Sequence, residues 1–327
     1  MTGVNSFKIV LIGGGQLGSR YLQGLANSSL DLEIFVVDPS QSSHQTCKDR
    51  ISEVNDSFDF TNYHQRSSIN GLPKKINLVI IATQADIRFK VLKNILDQDL
   101  NIDFMIMEKV LFQNLDEYDL SLHLINKHQI KCWVNCTRRA MPIYQKIKSE
   151  FSNNSIHNFQ LAGGEWGLIS NSIHFLDLLN FITGDNEIKI NLLDKLVTPA
   201  QSISKRKGVY ESSGVIEGTI GNTRFKLSSS KASSKNHILK IATDIDEVEI
   251  NEIDQKVLYT NKEVSREENF IFPNLSEIAG QIIESILIEG VCELPDLETS
   301  INVHKPFIKK INYYFKNKFN IDSCPLT

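Results

Sequence analysis

The sequence predicts an α/β protein: a doubly wound parallel sheet in the N-terminal part, followed by a C-terminal α/β domain built on a mostly antiparallel sheet. Three observations carry this reading. Up to about Pro142, short apolar runs of strand length alternate with helical patterns. The first run ends in a glycine-rich turn that opens a helix. Beyond Pro142 the alternation gives way to strand-like runs with one strong helix among them.

Lys8–Ile12 (KIVLI) is β-rich and nearly continuously apolar, the pattern of a strand covered on both faces. Gln16–Ala26 then spaces Leu17, Tyr21, Leu22 and Leu25 as one face of a helix, and Leu32–Val37 is a second buried strand, which completes a βαβ unit. Leu78–Ala82, Ile87–Leu96, Phe104–Met107, Tyr118–Asn126 and Cys132–Val134 continue the alternation of strand and helix. Ser40–Lys75 is polar and weakly periodic, and no element is assigned there.

In the second half, strands are predicted at Ile156–Leu161, Lys189–Leu193, Gly214–Ile220, Thr223–Leu227, Ile238–Ile241, Val248–Ile250 and Val257–Tyr259, around a helix at Ile173–Ile182. Gly221-Asn222 between two of them is a hairpin turn, which supports antiparallel order. Helices at Leu275–Ile288 and about 297–317 close the chain. Ser228–Ser234 reads as a solvated turn and Lys205-Arg206-Lys207 as an exposed loop. The expected domains are 1–137 and 138–327, with the last helix able to pack back on the first.

The chain has 327 residues, roughly twice the common domain size, which fits two cores. Hydrophobic residues at 41% and charged residues at 23% exclude disorder as the main state. With 35 Lys plus Arg against 39 Asp plus Glu, the formal charge of -4 lacks the basic excess that nucleic-acid binding uses. No apolar run approaches the roughly 20 residues that cross a bilayer, and the first one, Ile9–Ile12, ends at once in glycines, unlike a secretion signal. Cys47, Cys132, Cys136, Cys292 and Cys324 form no C-x-x-C pair, so neither a disulfide framework nor a metal site is expected, and a reducing cytoplasm fits.

Gly13-Gly14-Gly15-Gln16-Leu17-Gly18 fits G-x-G-x-x-G between a buried strand and a helix, the context of a Rossmann dinucleotide site. Gly13 serves the tight turn, Gly15 the approach of a pyrophosphate and Gly18 close helix–strand packing, while the helix start offers free N–H donors. Asp38, at the end of the second strand, is placed to accept hydrogen bonds from ribose hydroxyls and to repel a 2′-phosphate. No arginine follows it closely, which favours NAD over NADP. A plain glycine turn with Asp38 capping a loop is the alternative.

Ile81-Ala82-Thr83-Gln84, Glu108-Lys109, Arg138-Arg139 with Pro142 and Tyr144, and Gly163-Gly164 leading to His174-Phe175-Leu176-Asp177 resemble, in order and spacing, the Gfo/Idh/MocA oxidoreductases over nearly the whole chain. The resemblance implies a Rossmann domain, a C-terminal α/β domain whose open sheet mediates homodimer or homotetramer contacts, and sugar-type substrates. Lys109 matches the lysine of the family's Glu-Lys-Pro motif and would polarise the reacting hydroxyl, with Glu108 on the cofactor side holding it. Val110 stands where that motif has proline, which puts a cis-proline turn there in doubt.

His174 matches the family's active-site histidine, a natural general base. Asp177, at i+3, can orient its imidazole. Many relatives carry an aspartate four residues before the histidine, where this chain has Ser170 followed by Asn171. Proton transfer then rests on Lys109 with His174, or Asn171 hydrogen-bonds the substrate. Other residues keep two readings. Thr83 and Gln84 either line the nicotinamide side of the crevice or cap the helix near Asp86. Arg138 and Arg139 either clamp a substrate carboxylate or phosphate, or form an interdomain salt bridge. Trp166 either walls the pocket or fills a core.

The function these residues predict is NAD-dependent hydride transfer to or from a secondary hydroxyl of a sugar, nucleotide sugar or sugar-derived acid. The variant motifs suggest cell-surface polysaccharide sugars. A redox-neutral, NAD-retaining epimerase or lyase, and a non-catalytic nucleotide-binding regulatory subunit, are the alternatives.

Overall fold

A computed structural model describes residues 6–151, 155–192, 196, 209–231 and 236–326. By internal contacts the chain forms two compact units: Met1–Phe112, Asp116–Asn135 and Pro273–Leu297 in one, and Gln113–Leu115, Cys136–Phe272 and Glu298–Thr327 in the other. The segment that returns to the first unit is thus Pro273–Leu297, while the last helix belongs to the second.

The first unit alternates β1 (Phe7–Ile12), α1 (Gly18–Leu25), β2 (Leu32–Val37), α2 (Gln41–Ser52), β3 (Tyr63–Arg66), β4 (Lys75–Ile81), α3 (Ala85–Leu96), β5 (Asn101–Met107), α4 (Asp116–Lys127) and β6 (Lys131–Val134). Its six strands lie in the order β3-β2-β1-β4-β5-β6, all parallel. Ile9, Val10, Leu11, Leu78, Val79, Met105 and Ile106 are fully or almost fully covered because helices close both faces, which is why these strands read as continuous apolar runs. Strand order reverses between β1 and β4, so their C-terminal ends border a crevice of the kind that takes ligands in open α/β sheets.

Two elements of this unit, α2 and β3, lie in the stretch where the sequence assigned none. In α2 only Cys47 and Ile51 are buried, and in β3 only Tyr63, so neither carries a full apolar period.

The second unit contains α5 (Pro142–Glu150), β7 (Asn158–Gly163), α6 (Leu168–Thr183), β8 (Ile188–Leu192), β9 (Gly214–Ile220), β10 (Thr223–Ser229), β11 (His237–Ala242), β12 (Asp246–Asn251), β13 (Lys256–Asn261) and β14 (Ser265–Asn269). Among the described residues its sheet runs β14-β13-β12-β11-β7-β10-β9-β8, antiparallel except where β7 and β10 pair in parallel. The predicted hairpin at Gly221-Asn222 joins β9 to β10, with Gly221 at φ +54°.

Three differences from the sequence reading have physical causes. β14 (SREEN) is a charged edge strand without apolar alternation. α5 was not expected, although Pro142 at its first turn and the buried Ile143, Tyr144 and Ile147 signal it. α6 begins at Leu168, earlier than predicted, because Gly167 turns the chain in the left-handed region at φ 80°; Ser170 and Asn171 therefore lie in its first turn.

α7 (Leu275–Glu289) packs on α1 in the first unit, and α8 (Leu297–Phe319) lies almost wholly within the second. Lys205-Arg206-Lys207 and residues 232–234 of the predicted serine turn lie outside the described residues. Among the described residues no helix is long and apolar enough to cross a membrane, and no cluster of His, Cys, Asp and Glu has the makings of a metal site.

Candidate functional site

The residues singled out from sequence fall into two groups, one in each unit. In the first, the glycine loop leaves β1 and enters α1. Gly13 takes φ +97°, and a Cβ on it would stand 3.0 Å from the Ala82 backbone; a Cβ on Gly18 would lie 1.8 Å from the Gly13 carbonyl oxygen. Both glycines are therefore required by packing. Gly15 differs, since nothing lies within 4 Å of the position its Cβ would take. That open backbone, beside the free amides at the start of α1, is a cradle that fits a pyrophosphate.

Asp38 accepts the Gly14 N–H at 2.8 Å through Oδ2 and the Ser40 N–H at 2.8 Å through Oδ1. These bonds fix its carboxylate at the end of β2. Gln16 Oε1 accepts from Arg50 Nη2 on α2 at 2.6 Å. Leu17 sits at the N-cap of α1 with helical backbone angles and makes no side-chain cap bond. Arg50 was not recognised from sequence because α2 itself was not, and it brings a cation to the loop.

The ends of β4 and β5 are tied together by Arg88, which sequence reasoning also missed. Arg88 lies on the buried face of α3, 1% exposed, and donates to the carbonyls of Thr83, Val110 and Leu111, the last at 2.8 Å. Burial pulls its guanidinium down to about 10, still charged at neutral pH. Its signal was a cation at the apolar spacing of Leu92 and Ile95. Thr83 Oγ1 is buried with no hydrogen-bond partner, the kind of orphaned group a bound ligand satisfies. Gln84 is the N-cap residue of α3 but makes no side-chain cap bond, so the capping alternative does not hold for either side chain.

Glu108 is buried, and its Oε1 accepts from Tyr21 Oη at 2.6 Å and Asn135 Nδ2 at 2.7 Å. Burial and the neighbouring Glu108 charge push the Tyr21 phenol well up, so it stays a donor. Lys109 is half-exposed between the buried Glu108 and Val110, and the Lys109–Val110 peptide is cis without a proline.

In the second unit the two arginines are engaged by carboxylates of that same unit, which corrects the interdomain reading. Arg138 makes a forked pair with Glu252, Nε and Nη2 each at 2.8 Å, and lies over the Phe175 ring at 4.1 Å. Tyr144 Oη donates to Glu252 at 2.5 Å, and the His237 ring nitrogen is 3.4 Å away. Burial alone would raise the Glu252 carboxyl; the Arg138 charge and the bonds from His237, Arg138 and Tyr144 outweigh it and hold it well below the usual carboxylate range.

A depressed folded-state pKa contributes stability that is present above the unfolded value and lost as pH falls below it. Acid titration of the wild type is therefore expected to show a loss of unfolding free energy beginning near the ordinary carboxylate value of 4.5. In Glu252→Gln this loss becomes shallower, as read by urea unfolding at pH 7 and pH 4. Equal slopes in the two proteins would remove Glu252 from the acid response.

Arg139 pairs with Asp177, Nη2 to Oδ1 at 2.5 Å and Nε to Oδ2 at 2.9 Å, and also reaches Asn180 Oδ1 at 3.2 Å. The expected role of Asp177, orienting the His174 imidazole, is replaced by this pair: Asp177 is 1% exposed and both its carboxylate oxygens accept from Arg139, which lies in the short 3-10 turn Thr137–Ala140. Trp166 Nε1 donates to the Ser228 carbonyl at 2.8 Å, and its ring meets Phe175 edge-on at 5.5 Å, so one flank is fixed in the core. Asn171 Nδ2 donates to the Trp166 carbonyl at 2.7 Å. His174, half-buried, lies in the second turn of α6.

A parallel sheet in this order, with a glycine loop after β1 and a fixed acid after β2, defines a dinucleotide-binding Rossmann unit. Residues 7–136 match the Gfo/Idh/MocA family, described as an oxidoreductase family with an NAD-binding Rossmann fold, and this part of the chain belongs to it. No curated protein matches the sequence.

Solved structures share the fold over the full length. UDP-N-acetylglucosamine 3-dehydrogenase GnnA from Acidithiobacillus ferrooxidans is similar at TM-score 0.70 and 14% identity, over 93% of this chain and 96% of that one. The dehydrogenase MviM from Clostridium difficile gives 0.69 and 16%, over 94% and 99%. The transcriptional regulator Gal80p from Kluyveromyces lactis gives 0.74 and 16%, over 96% and 93%.

Proposed function

We propose that the protein is an NAD-dependent oxidoreductase acting on a secondary hydroxyl of a sugar, nucleotide sugar or sugar-derived acid, among them the sugars of cell-surface polysaccharides. The observation that supports this best is the open backbone at Gly15 beside a fixed Asp38. Gly13, Gly15, Gln16, Leu17 and Gly18 would hold the pyrophosphate, Asp38 the adenosine ribose, and Thr83, Gln84 and Glu108 the nicotinamide side. Asp38 favours NAD over NADP because its charge opposes a 2′-phosphate. When bound, the dinucleotide supplies the hydride acceptor or donor. Lys109 polarises the reacting hydroxyl, and Lys109 with His174 manages its proton. Asn171 and Trp166 are the remaining candidates for substrate contact. The reading places the enzyme in the cytoplasm as a homodimer or homotetramer.

The test begins with the spectrum of freshly purified protein before and after denaturation, with any released nucleotide identified by mass. Empty protein that binds NADH reversibly, followed by substrate-dependent change at 340 nm in a sugar panel, is the expected result. Stoichiometric retained NAD with product but no lasting 340 nm change would replace it with the redox-neutral mechanism, and failure to bind any dinucleotide would overturn it.

Gly15→Ala sharpens the test. Its fold has room for the methyl group, so its melting temperature should stay near wild type, while NADH affinity falls roughly 10- to 100-fold as a charge-assisted backbone bond is lost. Unchanged affinity would mean that no phosphate approaches Gly15.

A further inference from the structure

Helix α6 begins without a capping side chain of its own. Its N-cap is Gly167, and a Cβ there would stand 2.7 Å from Asn171 Nδ2, 3.0 Å from Ser170 Oγ and 3.2 Å from Glu211 Oε2. With its backbone at φ 80° this position favours glycine, which has no side chain to cap the helix, yet the first-turn amides still need acceptors. Glu211, on the segment leading into β9, provides them. Its Oε1 accepts the Ile169 N–H at 2.6 Å, and its Oε2 accepts the Ser170 N–H at 3.2 Å and the Ser170 hydroxyl at 2.5 Å. The residue is 7% exposed, so this is a carboxylate withdrawn from water and held by the helix start. Ser170 and His174 are one turn apart, at i and i+4 on the same face.

We propose that Glu211 is a positioning residue for His174: a cap supplied from outside the helix that fixes the first turn of α6 and, through its charge, supports a protonated imidazole one turn on. The proposal rests on the assignment of His174 to proton transfer. A carboxylate held at the helix start favours the cationic form of a histidine one turn on by direct charge attraction.

Among the described residues, the other titratable groups on or near α6 include Asp177 with Arg139, Arg138 with Glu252, Tyr144 and His237, Lys148 over the Phe181 ring, Asp185 after the helix end, and the buried Cys324 thiol near Glu211. The two arginines are each paired with a carboxylate. The donors described for Glu211 are neutral amides and a hydroxyl, so among these bonds none neutralises its charge.

Histidine NMR titration of the full chain, with His174→Asn to assign the signal, reads this coupling without any substrate. In Glu211→Gln the His174 midpoint is expected to fall by about half a pH unit or more, the size of a full charge acting across one helical turn at the effective dielectric of a protein. NADH affinity, read by fluorescence, should stay within about twofold of wild type. Adding Ser170→Asp to Glu211→Gln places a carboxylate on the helix itself and should return the midpoint toward wild type. Should Glu211→Gln fail to fold, Glu211→Asp keeps the charge but draws it back from the helix start by one methylene, and is expected to shift the midpoint in the same direction by a smaller amount.

An unmoved His174 midpoint in folded Glu211→Gln, or in Glu211→Asp if only that variant folds, overturns the proposal. Loss of dinucleotide binding in the wild type would instead overturn the oxidoreductase reading, and the His174 titration would still report on Glu211.

Discussion

Lys109→Ala is expected to lower turnover by roughly two to four orders of magnitude, the usual contribution of a positioned acid–base group, while leaving NADH binding within about twofold. The split follows from where the side chain is rooted. The backbone on either side of it is anchored, since Glu108 accepts from Tyr21 and Asn135, and the carbonyls of Val110 and Leu111 accept from buried Arg88. Removing the ammonium takes away a charge that favours alkoxide character without loosening the loop that carries it. Turnover on a substrate found in the sugar panel and NADH fluorescence titration measure the two halves. Turnover equal to wild type would remove Lys109 from the mechanism, and a parallel loss of NADH affinity would recast it as a cofactor ligand.

Asp177→Ala should cost the second unit about 3–5 kcal/mol, the usual consequence of leaving one partner of a buried ion pair uncompensated. The stranded group is Arg139, 8% exposed, whose remaining described acceptors are the Asn180 side-chain oxygen and the backbone oxygen of residue 177. Asn180 in turn donates to the Asp185 carbonyl at 2.7 Å, so the network ties the turn before α5 to both the middle and the end of α6. Asp177→Ala with Arg139→Leu removes both charges and should recover most of the loss. Urea unfolding of the single and double variants reads this directly. A double variant no more stable than Asp177→Ala would show that the pair acts through geometry rather than through the stranded charge.

The pH sign at this pair is opposite to that at Glu252. Burial pushes the Asp177 carboxyl up to about 6 against the pull of Arg139. With the folded value above the unfolded one, stability declines as pH rises from about 4 towards about 6, because the folded state then binds more protons than the unfolded one. Glu252 gains stability as pH rises through the range below about 4.5, whereas Asp177 loses it between about 4 and about 6, so the two variants should bend the pH–stability profile in opposite senses in adjoining pH ranges.

Much of the first unit was legible in the sequence because a strand covered on both faces needs an unbroken apolar run, and β1, β2, β4, β5 and β6 supply one each. Of the elements that escaped, α2, β3 and β14 bury few side chains, so the hydrophobic period that sequence reading relies on is nearly absent from them, whereas the short α5 buries Ile143, Tyr144 and Ile147. The glycine loop was legible for a related reason. A backbone that must turn at φ +97° and pack within van der Waals contact of β4 tolerates only glycine, and that demand is local.

Charge partners were not local, and the tertiary structure alone decided them. Arg138 and Arg139 are adjacent in sequence and looked equally suited to a substrate anion, but Glu252 and Asp177 reach them from 114 and 38 residues away. Buried cations must find a counter-charge or an acceptor wherever the fold brings one, and no spacing rule encodes which. The same holds for Arg88, which serves carbonyls of two loops, and for Glu211, which supplies a carboxylate at Ser170 from a distant segment. The sequence by itself determined the buried strands, the glycine loop and the acid that follows β2, because backbone sterics and burial act over a few residues. The chain's pairing into two sheets decided which charges are compensated and by which partners, because electrostatic compensation acts through space.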